Sequence, residues 1–127
     1  AGQVQASFAP MAPALEHLKA GKLRPLAVTT LARSDALPGI PAINEFVPGF
    51  ESSTWYGLAT PMGTPAAIID TLNKEVNAAL ADPELSKRFA DLGGVPIPGS
   101  AADFGKLIAD ETEKWAKVVK FAHVKLE

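Results

Sequence analysis

The side chains that do most enzyme chemistry are sparse here and poorly grouped. His17 lies between Leu15 and Leu18 in an apolar-periodic stretch, and no nucleophile or carboxylate stands at a spacing that would make it a general base. His123 falls near the end of the last helical pattern, where a cation suits the helix dipole. No His-x-x-x-His or Glu-x-x-His pair shares a helix, so no metal site is expected. Asp110, Glu111 and Glu113 cluster with Lys106, Lys114 and Lys117 around them. Asp110–Lys114 and Glu113–Lys117 are four apart in the favourable order, which predicts a solvated, ion-paired face rather than a catalytic carboxylate pair. "AGKL" at residues 20–23 lacks the first glycine and the closing Ser or Thr of a phosphate loop, and reads as a helix stop. No Gly-x-Ser-x-Gly elbow is present. These residues assign no catalytic site and no cofactor.

Hydroxyls and backbone amides at strand ends are more informative. "QVQASFAP" alternates Val4, Ala6 and Phe8 with polar residues and reads as a strand that ends at Ser7-Phe8-Ala9-Pro10. "LRPLAVTT" reads as a second strand ending at Thr29-Thr30. In a parallel α/β sheet, ligands bind beyond such carboxyl ends, and hydroxyls with amides can hold a carboxylate by hydrogen bonds alone. A third strand, "TWYGLATP", carries adjacent aromatics, Trp55 and Tyr56, which must point to opposite faces.

These positions need elements to hold them. Between the first two strands, Met11, Leu15 and Leu18 make a short helix stopped by Gly21, giving a βαβ unit with a right-handed crossover. Residues 31–53 are rich in proline and glycine and read as a loop with a short helix over 42–46. Thr64 as N-cap and Pro65 at the first position open a helix with Ile68, Ile69, Leu72, Val76, Ala79 and Leu80 on its apolar face. Exposed amides at that helix start attract anions, but a plain cap is the simpler reading. Asp82 caps another helix, which buries Leu85, Phe89 and Leu92 and stops at Gly93-Gly94. Ser100 and Asp103 form a capping box before the last helix, with Phe104, Leu107, Ile108, Trp115, Val118, Val119 and Ala122 on one face.

The totals set bounds. At 127 residues the chain has one domain's length, and 47% hydrophobic residues suffice for a core. A net charge of -2 excludes a basic field for nucleic acid. With no cysteine there is no disulfide framework. No apolar run approaches the roughly 18 residues of a membrane span. The first residues show no signal-peptide pattern, and a chain that opens in mid-strand reads as a fragment.

In order, the segments "GQVQASFAP", "HLKAGKLRPLAVTTLARSDALPGIPAINE", "PGFESSTWYGLATPMGTP", "LNKEVNAALADPELSKRFADLGGVPIPGS" and "DFGKLIADETEKWAKVV" resemble the C-terminal part of the substrate-binding receptors of tripartite tricarboxylate transporters, the Bug family. Two departures stand in the loop: Ala42 where the family usually has Thr, and Val47 where it often has Gly. The resemblance implies an α/β fold of the type II periplasmic-binding-protein kind. Residues 1–56 would be the latter half of the second lobe. Residues 57–127 would be the return strand and the helical C-terminal part of the first. It implies a periplasmic receptor without enzyme activity that captures a small mono- or dicarboxylate and hands it to permease subunits. Ser7, Phe8, Ala9, Thr29 and Thr30 would line the ligand cleft, and Trp55, Tyr56 and Gly57 would mark the hinge crossing. Exposed sheet edges leave room for a homodimer. Two readings of other classes stand beside it: a cytosolic α/β enzyme domain, and a helical interaction module with an exposed apolar patch.

Overall fold

The computed structural model describes residues 3–124. Four α-helices follow in order: α1 Met11–Lys19, α2 Ala66–Leu80, α3 Pro83–Asp91 and α4 Ala101–Phe121, with a 3-10 turn at Ile43–Glu45 between α1 and α2. The chain divides into two compact units. The first runs to Tyr56 and takes in Ala81–Pro96, and the second comprises Gly57–Leu80 and the chain from Ile97 onward.

The helix ends follow local chemistry. After α1 the chain turns left-handed at Gly21, with φ 68°. The amide of Lys22 donates to the His17 carbonyl at 2.9 Å and that of Gly21 to Leu18 at 3.0 Å, a Schellman ending. α3 ends the same way: Gly94 donates to Phe89 at 2.8 Å and Gly93 to Ala90 at 2.9 Å. Asp82 caps α3 by accepting the Leu85 amide at 2.9 Å. Ser100 and Asp103 form the full capping box of α4, and the Ser100 hydroxyl and amide bonds hold the Asp103 carboxyl below its ordinary range. The cap of α2 differs from expectation. The Thr64 hydroxyl donates back to the Pro61 carbonyl at 2.8 Å, so it closes the preceding turn and leaves the helix to begin at Ala66.

The βαβ unit requires correction in detail. Among the described residues no segment forms a β-ladder, and the only strand-like pairing is an isolated parallel bridge between Val28 and Ala42. Residues 3–10 and 54–60 have no strand pairing, and of residues 23–30 only Val28 is bridged. A helix satisfies its backbone within itself, whereas a strand needs a neighbour's N–H and C=O groups.

In the second unit α2 packs against α4. The side of α2 turned inward carries Ile69, Asn73, Val76, Asn77 and Leu80, while Ile68 and Leu72 are exposed. The sequence stripe merged these two faces. The asparagines are inward because both reach Gly99. Asn77 accepts the Gly99 amide at 3.0 Å and donates to its carbonyl at 2.8 Å, and Asn73 donates to the same carbonyl at 2.9 Å. That fixes the chain immediately before the α4 cap. The outer face of α4 is ion-paired as expected, with different partners. Glu113 pairs with Lys117, but Asp110 takes Lys106, and Lys114 takes Glu111. Glu111 also accepts the Trp115 indole N–H at 2.8 Å, which places its carboxylate beside Lys114.

Candidate functional site

The best-built corner of the first unit is the end of the segment that carries Thr29 and Thr30. Val28 donates to the Pro41 carbonyl and accepts from the Ile43 amide, each at 2.9 Å, and the Thr29 carbonyl accepts from the Ser52 amide at 2.9 Å. Val28 and Ala42 are buried at the centre of this pairing. Small, β-branched and apolar residues suit a bridge whose side chains have no room to spread.

A second clamp lies alongside. Arg33 donates through Nε and Nη2 to the two oxygens of Glu45, at 2.8 and 2.6 Å. Glu45 Oε1 also accepts the Ala42 amide at 2.8 Å. This is half of a capping box. Alanine has no oxygen to return the bond, as a threonine there would. The guanidinium, then the Ala42 amide, hold the Glu45 carboxyl down from 4.5 to about 2. A depressed carboxyl contributes stability that is complete above the unfolded value and is lost as pH falls through the folded one. The clamp therefore holds above about pH 4.5 and releases towards pH 2. An NMR titration of the Glu45 carboxyl is expected to show its midpoint at about 2, and Arg33→Gln should move it most of the way back to 4.5. A midpoint that stays low in R33Q would rule out the guanidinium as the main cause. The sequence reading missed this pair. The signal was a glutamate three residues after Ala42, a capping-box spacing with the first residue altered.

The proposed ligand residues divide by what their donors already do. The Thr30 hydroxyl donates to the Ala32 carbonyl at 2.6 Å, so its proton is committed. Among the described residues no hydrogen bond engages the Thr29 or Ser7 hydroxyls, or the amides of Phe8, Ala9, Thr29 and Thr30. These are unspent donors of the type a carboxylate accepts from. No hydrogen bond joins the 7–9 group to the 29–30 group. A shallow depression of about 310 Å³ in the same unit is lined by other residues: Leu15, Lys19, Asp35, Ala36, Ala90 and Asp91. Trp55 is half-buried and Tyr56 is 91% exposed. Gly57 lies against the ring of Phe104 in the second unit, so a side chain there would collide with it. His17 is exposed, with its backbone carbonyl serving the end of α1. No group of three or more His, Cys, Asp or Glu among the described residues is arranged to hold a metal.

Comparison with known proteins gives a consistent result. A family model described as "Tripartite tricarboxylate transporter family receptor" matches residues 1–124. The BugT protein of Bordetella pertussis is 35% identical over 127 residues, covering 99% of this chain and 39% of that protein. A UPF0065 protein of Bordetella bronchiseptica is 35% identical over 109 residues, 86% of this chain and 32% of its own length. Among solved structures, R. palustris Rpa4515 with adipate superposes with a TM-score of 0.81 at 36% identity, over 89% of this chain and 38% of that one. The periplasmic binding protein BugD gives 0.79 at 32% identity, over 90% and 39%. The chain thus spans between a third and two-fifths of the length of these relatives.

Proposed function

Since the chain belongs to the tripartite tricarboxylate transporter receptor family, we propose that it serves as part of a periplasmic solute receptor that captures a small dicarboxylate for a membrane permease. The family model's match over residues 1–124 carries the reading. The unspent donors at Ser7, Phe8, Ala9, Thr29 and Thr30 support it, because they offer hydrogen bonds to an anion without any buried cation. Thr30 contributes its amide, since its hydroxyl is already committed. Dicarboxylates are chosen because the R. palustris neighbour is described with adipate. Trp55, Tyr56 and Gly57 are the crossing residues in this reading. This reading assigns residues 1–56 to the second lobe and 57–127 to the first, except that Ala81–Pro96 falls in the same compact unit as the earlier residues.

The test is a thermal melt against mono-, di- and tricarboxylates. It is run on the chain alone and on the chain mixed with the part of Rpa4515 that it does not match. A ligand at a hundredfold its dissociation constant adds about 2.7 kcal/mol of stability. A shift confined to dicarboxylates in either sample is the expected result, and Thr29→Val should weaken it about 10- to 100-fold, as loss of a hydrogen bond to a charged group does. No shift in either sample counts against the receptor reading.

A further inference from the structure

The ion pairs on α3 and α4 join residues three or four apart on one helix. The Arg33–Glu45 pair joins residues twelve apart across irregular chain. Its side chains are 56% and 37% exposed, and ion pairs so placed add little to stability. Yet the guanidinium engages both carboxylate oxygens, a geometry that fixes direction as well as distance. What the clamp fixes is the chain between two anchors. On one side, Val28 is bonded to Pro41 and Ile43, and the Thr29 carbonyl to the Ser52 amide. On the other, Arg33 holds Glu45, whose Oε1 also takes the Ala42 amide. Bridge and clamp therefore both end on residues 41–45 and close a ring with residues 28–33. Inside that ring, the Thr30 hydroxyl's bond to the Ala32 carbonyl is a purely local restraint. Without the clamp, residues 30–32 would keep that bond and lose their second anchor, and chain freed in this way regains conformational entropy.

We propose that Arg33 and Glu45 are positioning residues for the carboxylate donors at Thr29 and Thr30, which they aim without touching the ligand. The inference rests on the carboxylate reading for what these donors serve, but not for whether the clamp orders them. Two of the donors are backbone amides. Their direction is set by the turn of the chain and by no side chain of their own, so an outside restraint must hold it. A donor already held in place spares the ligand the entropy of ordering it, and that difference appears as affinity. The guanidinium fork faces Glu45, so it acts on the site through the chain it holds. Lysine could keep the charge at residue 33 but not the fork.

The experiment has two arms. The first measures backbone order parameters by nitrogen-15 relaxation, with no ligand present. In the parent chain residues 29–32 should sit near the rigid value of about 0.85, and in both Arg33→Gln and Glu45→Gln they should fall below about 0.6. The helices α1 and α4 should not change. A parent already flexible at 29–32 would overturn the proposal. So would variants that stay rigid there, or that loosen α1 equally. The second arm measures adipate affinity in whichever of the two melt samples binds it. The two variants alter charge in opposite senses, since one removes a cation and the other an anion. Positioning predicts that both weaken binding, by about tenfold, the loss of one hydrogen bond to a charged group. Arg33→Lys should follow R33Q and not the parent. Shifts in opposite directions would assign the effect to charge and overturn the proposal, as would unchanged affinities. A parent that binds no dicarboxylate in either sample counts against the receptor reading, and the order parameters still decide the clamp.

Discussion

Valine in place of Gly57 is expected to destabilise the second unit by about 1–3 kcal/mol, the usual cost of forcing extra atoms into a filled space. A Cβ on Gly57 would stand 2.2, 2.6 and 2.9 Å from three carbons of the Phe104 ring. These are distances that carbon atoms do not share, so the ring must leave its place. Phe104 lies in the first turn of α4, directly after the Ser100–Asp103 box. Its displacement loosens the helix start that the box and the Asn77–Gly99 bonds define. The expected readout is faster amide exchange in α4 and a lower urea midpoint, with G57A affected less than G57V. A double-mutant cycle with Phe104→Ala assigns the cause. If the clash is responsible, G57V should cost much less in the F104A background, a coupling of about 0.5–3 kcal/mol. Additive effects would remove the ring from the explanation. The result bears on the hinge reading too, because close approach to a ring requires a glycine whether or not the chain bends there.

What was legible in the sequence follows from where each element finds its partners. The helices were readable to within one or two residues because their signals are local. Asp82 with Pro83, Ser100 with Asp103, and the glycines at 21 and 93 each act within a single turn. The strands were readable only as extended segments. Val4-Ala6-Phe8 has strand periodicity, but a ladder needs a second segment, and only Val28 and Ala42 find each other. The apolar face of α2 was read too broadly, since Ile68 and Ile69 are adjacent in any helical count and only contact with α4 separates them. The Arg33–Glu45 clamp was missed because twelve residues of irregular loop separate its members and no periodicity links them. Among the proposed ligand residues the hydroxyls were legible but their commitments were not, because the Thr30 bond to the Ala32 carbonyl, which Thr29 does not share, depends on how the chain turns after residue 30.

Leu15 offers the largest expected loss in the first unit and a contrast with an exposed leucine nearby in sequence. Leu15 is 4% exposed, one of three buried apolar residues, with Val28 and Ala42, among the described residues. Leu15→Ala should cost about 2–3 kcal/mol, the lower part of the range for a buried leucine. The low end applies because Leu15 borders the open depression beside Ala36 and Ala90, where water or neighbouring chains can enter part of the space. Leu26, by contrast, is 65% exposed on the extended segment that leads to Thr29. Leu26→Ala should change the stability of the isolated chain by no more than about 0.5 kcal/mol. L15A should lower the urea midpoint and speed amide exchange across α1, whereas L26A should leave both close to those of the parent chain. Equal losses from both would mean that Leu26 is covered and that exposure does not set the contrast between the two leucines.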